Sequence, residues 1–271
     1  MPFVDHHNVN LYYEVHGQGE PLLLIMGLGN NSLSWHRTLP ALAQHFKVIV
    51  FDNRGVGKSS KPNQPYSIEM MAEDAKVVLD AASIESAHVY GISMGGMIAQ
   101  RLSILYPDRV RSLVLGCTTA GGATHTQPSE EVNSLMLSRT SLSPEESAWA
   151  ATPILYSKEF IEQHSDLIKE DIEKRIEIET PPHGYMLQLQ ACLAHDTVQD
   201  LDKIKVPTLV IHGDADRLVP YENGKLLAER IQGAELHTVS GAGHIYITES
   251  IDATNEKVLQ FLSDNLSNAE D

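Results

Sequence analysis

The sequence predicts an α/β protein with a mostly parallel central sheet and helices on both of its faces. Three observations predict this class. Apolar strand patterns alternate with helix patterns up to residue 117 and again from residue 207, which is the order expected of parallel βαβ units. The stretch between them, residues 118–200, shows helix patterns only. The 271 residues are enough for one large domain of this kind.

The elements before the central motif follow from apolar periodicity and from turn residues. Pro21–Met26 is continuously apolar, as expected for a strand that is covered on both faces. The predicted elements are, in order, three strands within residues 2–27, a helix over Trp35–Gln44 with Ser34 as its N-cap, a strand over Phe46–Phe51, and a helix over Ser67–Ala82 with Ser67 as its N-cap.

The centre of the prediction is Ser93, between a strand predicted over Ser86–Ile92 and a helix predicted over Met94–Tyr106. Gly91, Ser93 and Gly95 fit the Gly-x-Ser-x-Gly pattern of a nucleophile elbow. At such a sharp turn, side chains two positions before and after the serine would collide, so glycine is expected at both. The turn would lift the Ser93 hydroxyl above the sheet, beside the N–H groups that open the helix.

The next predicted strand is Val110–Cys117, and the stretch after it is predicted to be a helical insertion. Its predicted helices are Ser129–Arg139, Ser143–Ala151, Ser157–Glu179 and Gly184–Ala194. The later elements are strands over Pro207–His212 and Ala234–Val239 and helices over Tyr221–Ile231 and Ile251–Leu266. An insertion at the carboxyl edge of a parallel sheet lies over the strand ends, where ligands bind. We therefore expect residues 118–200 to form a lid over a core of residues 1–117 and 201–271.

Charge and cysteine content argue against some classes of partner and indicate a cellular compartment. The formal net charge of −16 argues against nucleic acid and anionic membranes, because both attract basic surfaces. The two cysteines, Cys117 and Cys192, have no metal-binding spacing and are expected to be reduced, packed thiols. This cysteine usage, together with the lack of a visible signal peptide, favours a cytoplasmic protein.

Two loops after the insertion carry candidate partners for Ser93. A serine nucleophile needs a base to take its proton and an acid to orient that base. Asp214 and Asp216 follow the predicted strand at Pro207–His212, and His244 lies in the glycine-rich loop after the next strand. Acid and base are therefore expected from neighbouring loops at the same edge of the sheet.

These motifs resemble those of the α/β-hydrolase superfamily. Besides the elbow, the matching stretches are Asp52-x-Arg54-Gly55-x-Gly57-x-Ser59, Gly213-x-x-Asp216-x-x-x-Pro220 and Gly243-His244. The resemblance spans nearly the whole chain and implies the α/β-hydrolase fold. It also implies that Asp216 orients His244, because Asp216 stands four residues before the proline that opens the next helix. Asp214 would then be a turn or capping residue.

The resemblance further implies an oxyanion hole formed by the backbone N–H groups of Leu28 and Met94. Relatives usually have His-Gly at the start of the loop after the third strand, whereas this chain has Met26-Gly27. The residues expected to contact substrate are Gly27, Trp35, Met186 and Leu218. The apolar side chains of the insertion that suit an acyl chain are Leu135, Met136, Leu155, Tyr156, Tyr185, Met186 and Leu189.

The resulting hypothesis is a serine hydrolase of carboxylic esters or lactones. Ser93 attacks the acyl carbonyl, His244 transfers the proton, Asp216 orients His244, and water cleaves the acyl-enzyme. The chain resembles small bacterial carboxylesterases, enol-lactone hydrolases and metal-independent N-acyl homoserine lactonases. Haloalkane dehalogenases and epoxide hydrolases differ in having an aspartate at the elbow, and metal-dependent lactonases carry a His-x-His-x-Asp-His cluster that this chain lacks. The resemblance therefore implies no cofactor and no metal.

Three alternatives stay open at this point. C–C bond hydrolysis and perhydrolysis use the same three residues, so the motifs do not separate them from ester cleavage. A non-catalytic, receptor-like binding protein can also keep the triad, because a fold does not determine a function.

Overall fold

The computed structural model describes residues 2–138, 142–178 and 180–266. The strands are β1 (Phe3–His6), β2 (Val9–His16), β3 (Pro21–Ile25), β4 (Lys47–Phe51), β5 (Ala87–Ile92), β6 (Val110–Gly116), β7 (Thr208–Gly213) and β8 (Glu235–Val239). They form one sheet in the order β1-β2-β4-β3-β5-β6-β7-β8. β2 runs antiparallel to β1 and β4, and every pair from β4 to β8 is parallel. The predicted class is confirmed.

The helices fill the connections between these strands. They are α1 (Leu39–Leu42), α2 (Ile68–Ala81), α3 (Met94–Leu105), α4 (Glu130–Ser138), α5 (Pro144–Leu155), α6 (Lys158–Gln163), α7 (Ser165–Ile176), α8 (Pro182–Leu193), α9 (Glu222–Arg230), α10 (Tyr246–Glu249) and α11 (Ile251–Asp264). One apolar layer packs α2, α3 and α9 on one face of the sheet, and a second packs α1 and α11 on the other. The central strands are buried from both sides, which explains their continuous apolar runs.

The predicted helix over Trp35–Gln44 is wrong. The chain forms a 3₁₀ turn over Ser32–Trp35, capped by Asn31 rather than Ser34, and then the short helix α1. Pro40 accounts for the interruption, because a proline in a helix interior lacks the N–H donor and its ring meets the carbonyl one turn earlier. It is accommodated here only in the first turn of α1.

The insertion is helical, as predicted, with different boundaries. The predicted helix Ser157–Glu179 is divided into α6 and α7 at His164, whose φ of −133° and ψ of 40° are not helical. α10 was not predicted. Arg139 and Glu179, the predicted ends of two helices, lie outside the described residues, as do Met1 and residues 267–271 of the predicted core.

Helices α4–α8 lie in the chain between β6 and β7, and α4–α7 share an apolar cluster of their own. Partly buried Leu218 and Ile245, from the loops after β7 and β8, pack against this cluster. The insertion is therefore packed onto the carboxyl end of the sheet. Among the described residues, no helix is both long and apolar enough to cross a membrane.

Candidate active site

Ser93 stands at the turn from β5 to α3 in a strained conformation. Its φ is 58° and its ψ is −121°, and a non-glycine residue in such a region costs on the order of 1–3 kcal/mol. Glycine at position 91 is required because a Cβ there would lie 2.2 Å from the Gly95 carbonyl oxygen. A Cβ at Gly95 would lie 2.0 Å from the Ile25 carbonyl oxygen, at the end of β3. The predicted crowding on both sides of the serine is confirmed.

Backbone and side-chain groups of β6 and the residues after it hold this turn. The Ser93 N–H donates to the Gly116 carbonyl at 2.8 Å. The Thr118 hydroxyl donates to the Ser93 carbonyl at 2.7 Å. The serine backbone is therefore fixed from the neighbouring strand, and its side chain is left to face the cavity described below.

The structure brings His244 and Asp216 into direct contact. His244 Nδ1 and Asp216 Oδ2 lie 2.7 Å apart, and both residues are buried. Asp216 Oδ1 accepts from the Leu218 and Val219 N–H groups at 2.8 and 2.9 Å. These bonds hold one carboxylate oxygen while the other meets the imidazole, which is the arrangement that orients a catalytic base.

Asp216 is held in its charged form. Burial by itself would raise the pKa of this carboxyl, but the charge of His244 and hydrogen bonds from His212 and His244 outweigh burial, so its pKa lies well below the ordinary value. His212 is fully buried, and its Nε2 donates to the Val219 carbonyl at 2.8 Å. The same Nε2 lies 3.4 Å from Asp216 Oδ2. His212 is thus a second histidine beside the acid, and no motif indicated this position.

Asp214 has a different role in the same loop. Its carboxylate accepts from the Gly241 N–H at 2.6 Å and from the Ser240 hydroxyl at 3.4 Å, and these contacts are exposed. Asp214 therefore ties the loop after β7 to the loop after β8. The geometry favours Asp216 as the acid that faces His244.

Ser93 and His244 both line one cavity of about 260 Å³. Among the described residues, no hydrogen bond joins the Ser93 hydroxyl to His244; in ligand-free sites such bonds are often long and tighten only on substrate binding. Because a carboxylate only accepts hydrogen bonds, His244 Nδ1 must carry the hydrogen that it shares with Asp216. The Nε2 lone pair of a neutral His244 is then free to accept a proton.

The loop between β3 and the 3₁₀ turn contributes Gly27 and Leu28 to the wall of this cavity. The Gly27 carbonyl accepts from the Asn30 N–H at 3.2 Å. In a trans peptide the C=O and N–H groups point in opposite directions. The Leu28 N–H, which shares that peptide, therefore points away from the loop interior. Met94, the other candidate donor, is the first residue of α3 and also lines the cavity.

Two of the four residues predicted to contact substrate lie on the cavity wall, namely Gly27 and Leu218. Trp35 does not, contrary to expectation: it is fully buried and packs against Tyr90, with ring centroids 5.1 Å apart. Met186 does not line the cavity either, because its neighbours Tyr185 and Leu189 occupy the inward side of α8. Of the insertion's other predicted acyl-binding side chains, the cavity includes Met136, Leu155 and Tyr156 but not Leu135.

The insertion also touches the loop that carries His244. The Ile245 N–H donates to the Leu155 carbonyl at 3.0 Å. Glu249 accepts from the Gly243 N–H at 2.9 Å and from the Ser157 N–H at 3.1 Å. Burial raises the pKa of the Glu249 carboxyl, despite these hydrogen bonds. No motif pointed to Glu249, because its contacts join the backbone of Gly243 to Ser157, which lies 92 residues away in sequence.

One group of potential metal ligands meets within the described ranges: donor atoms of Cys117, Asp216 and His244 lie within 4.8 Å of one another. Asp216 and His244 are hydrogen-bonded to each other, so their contact is explained without a metal. Both cysteines are free, and burial raises the pKa of the Cys192 thiol to about 12 and that of Cys117 well above its ordinary value. Cys117 is a packed core thiol, as expected, whereas Cys192 is partly buried against the core and also lies on the cavity wall.

Comparisons with known proteins agree with this architecture. The family model described as alpha/beta hydrolase fold matches residues 20–250. A putative carbamate hydrolase RutD from Azorhizobium caulinodans is 35% identical over 262 residues, which cover 96% of this chain and 98% of that protein.

Solved structures show the same arrangement. The enol-lactonase from Burkholderia xenovorans has a TM-score of 0.87 and 28% identity, covering 97% of this chain and 100% of its own. A meta-cleavage product hydrolase from Pseudomonas fluorescens has a TM-score of 0.81 and 26% identity, covering 95% of each chain. The chain belongs to the α/β-hydrolase fold family and is a hydrolase of that family.

Proposed function

We propose that this hydrolase cleaves carboxylic esters or lactones through an acyl-enzyme on Ser93. The observation that carries the proposal is the 2.7 Å contact between His244 Nδ1 and Asp216 Oδ2, with Ser93 and His244 on the wall of one cavity. A strained serine, an oriented imidazole and a buried carboxylate are the groups that serine hydrolysis needs.

In this mechanism each proton has a defined path. The Ser93 hydroxyl gives its proton to His244 Nε2 as its oxygen attacks the carbonyl carbon. The charge that develops on the carbonyl oxygen is stabilised by the Leu28 and Met94 N–H groups. The protonated imidazole, stabilised by Asp216, then donates its proton to the departing alkoxide. Water repeats the sequence on the acyl-enzyme and releases the acid.

The cavity favours a small substrate with an apolar acyl group. Its volume of about 260 Å³ is slightly below the range of about 300–1,000 Å³ that is usual for small-molecule sites. Apolar side chains from the insertion, including Met136, Leu155 and Leu189, line the same cavity as Ser93. We accordingly propose that residues 118–200 form a lid that shapes the acyl pocket.

A carbamate is a second candidate for the bond that is cleaved. The 35% identity to a putative carbamate hydrolase over nearly the full length of both chains favours it. A carbamate presents the same kind of carbonyl carbon to Ser93, so no other residue role changes.

The test is turnover of matched chromogenic esters, lactones and carbamates by the wild-type protein and by Ser93→Ala. Loss of a serine nucleophile costs about 10⁶ in kcat. Ser103→Ala, a change at a buried serine of α3, is the matched control and should keep wild-type turnover. Undiminished turnover by Ser93→Ala would remove Ser93 from the mechanism. Absence of turnover on every substrate would favour the binding-protein alternative.

A further inference from the structure

We propose that Gln188, a buried glutamine of α8, is a positioning residue for the oxyanion hole. This inference rests on the proposed function, because it concerns the Leu28 N–H that would stabilise the developing negative charge. It assigns part of the catalytic geometry to the insertion, whose side chains would otherwise serve only to shape the substrate pocket.

The Gln188 side chain makes two hydrogen bonds and is fully buried. Its Oε1 accepts from the Gly29 N–H at 2.8 Å. Its Nε2 donates to the Arg54 carbonyl at 2.8 Å. One amide group therefore joins the loop after β3 to the loop after β4.

Gln188 completes the support of three consecutive peptide groups. The first has its Met26 carbonyl bonded to Asn53 Nδ2 at 3.0 Å. The third, between Leu28 and Gly29, has its carbonyl bonded to Asn30 Nδ2 at 2.9 Å and its N–H bonded to Gln188. The middle peptide carries the Leu28 N–H. Among the described residues it is held only through its carbonyl, which accepts from the Asn30 N–H, and through these two neighbouring peptides.

The loop after β4, which Gln188 contacts through the Arg54 carbonyl, is held by an ion pair. Arg54 forms a two-point ion pair with the fully buried Asp74, at 2.6 and 2.7 Å. Such bidentate pairs fix geometry as well as charge. The same segment of the insertion reaches the loop a second time, where the Thr180 hydroxyl donates to the Gly29 carbonyl at 3.1 Å. Gln188 thus links the peptide beside Leu28 to a loop that is held in place by the Arg54–Asp74 ion pair.

This support also fits the sequence at the start of the loop. Position 26 is a methionine and supplies no polar side chain there. The polar side chains that fix this loop are instead Asn30, Asn53, Thr180 and Gln188, of which Thr180 and Gln188 come from the insertion.

The first test is Gln188→Met, which keeps the side-chain length and removes both hydrogen bonds. Loss of an oxyanion donor costs about 10²–10³ in kcat, so misplacement of one should lower kcat about tenfold or more. KM should change less than kcat, because the hole acts on the transition state. The matched control is Gln100→Met. Gln100 is also fully buried and makes two hydrogen bonds, to Thr119 and Thr197, away from the loop.

The second test is the pH profile of Gln188→Glu. A protonated carboxyl can accept from the Gly29 N–H and donate to the Arg54 carbonyl, whereas the carboxylate loses the second bond. Burial favours the protonated form, and the ionised groups bonded to the adjoining loop are the Arg54–Asp74 pair and Asp52. The kcat of the variant relative to wild type should therefore fall about tenfold as pH rises and the introduced carboxyl ionises.

A third measurement separates failure of this inference from failure of the proposed function. A p-nitrophenyl phosphonate should label Ser93, and Gln188→Met should slow that labelling about tenfold, while Gln100→Met should not. Absence of labelling in the wild-type protein would contradict the proposed function. Normal labelling and kcat in Gln188→Met, or equal losses in both methionine variants per folded molecule, would overturn the role of Gln188.

Discussion

The elbow at Ser93 and the loop after β3 face the same cavity and are held in different ways. The elbow is fixed mainly by backbone contact: Gly91 and Gly95 allow main-chain atoms to approach, and the Ser93 N–H is bonded to β6. The loop is fixed by amide side chains. Asn53 reaches it from 27 residues away in sequence, and Gln188 from 159.

This difference predicts that the elbow and the loop are disrupted by opposite kinds of substitution. A turn held by close backbone approach is disrupted by added atoms, whereas a loop held by side-chain hydrogen bonds is disrupted by removed groups. The acid loop after β7 combines both kinds of support, because backbone N–H groups hold one Asp216 oxygen and His244 holds the other.

Among substitutions that leave Ser93 in place, the largest effect should come from that third loop. We expect Asp216→Asn to lower kcat by about 10⁴, because an amide in place of the carboxylate favours the wrong histidine tautomer. Asp214→Asn is the natural control, since the Asp214 carboxylate is hydrogen-bonded to the loop residues at 240 and 241 and not to His244 among the described residues. Steady-state kinetics with far-UV circular dichroism would check both. If Asp214→Asn were the inactive variant, the assignment of the acid would be wrong.

Adding one methyl group at each region should show which of them tolerates extra atoms less. In Gly95→Ala the new Cβ would lie 2.0 Å from the Ile25 carbonyl oxygen, so backbone must move. A displacement of about 1 Å can lower kcat by about a hundredfold, and overpacking costs about 1–3 kcal/mol of stability.

In Gly27→Ala, on the loop, the nearest atom would be the Ser93 Cβ at 3.0 Å. This contact is less severe, so the loss of stability should be smaller. Thermal unfolding and kcat of the two alanine variants give the comparison. Equal losses of stability would contradict the view that the elbow is the more tightly constrained region.

The smallest effect on rate should come from His195, which supports neither region. Burial, with a smaller contribution from the charge of Arg101, lowers the pKa of His195 to about 3. In the unfolded chain a histidine has a pKa of about 6.5. Below that value the unfolded state binds a proton that the folded state does not. The free energy of unfolding is therefore highest, as far as His195 is concerned, above about pH 6.5. It falls by about 1.4 kcal/mol per pH unit as pH decreases from there toward 3.

His195→Gln should remove this part of the acid sensitivity. Its kcat at pH 7 should change by no more than about threefold, because His195 lies on the cavity wall but, within the described ranges, forms no hydrogen bond to the catalytic loops. Urea unfolding of wild type and variant at pH 7, 6 and 5 would show it. Parallel pH dependences of the unfolding free energy in the two proteins would contradict the prediction.

Local signals made most of the fold predictable. Ser67 caps α2 through the Met70 N–H, as its position before an amphipathic run predicted. The glycines on both sides of Ser93 indicated the elbow, since the collisions they avoid involve the turn itself and the adjoining strand end.

The errors have long-range or subtle causes. Trp35 packs against Tyr90, which is far away in the chain, and a local pattern does not specify that partner. Met186 lies beside Tyr185 and Leu189, and the local pattern did not show which side of α8 faces the cavity. A glutamine in an amphipathic helix has the same local appearance whether it faces solvent or holds a peptide 159 residues away, so Gln188 had no signal. His164 interrupts a helix without any proline or glycine to mark the break.

The bond between Gly29 and Gln188 has a consequence for biogenesis. The ribosome delivers β3 and its loop early, together with the strands beside which they pair, whereas the partner of the Gly29 N–H is synthesised 159 residues later. The loop therefore cannot reach its final geometry until α8 has emerged from the exit tunnel and docked. Contacts that span so much chain close slowly. The nascent protein can acquire a structured N-terminal half well before it acquires a finished reaction centre.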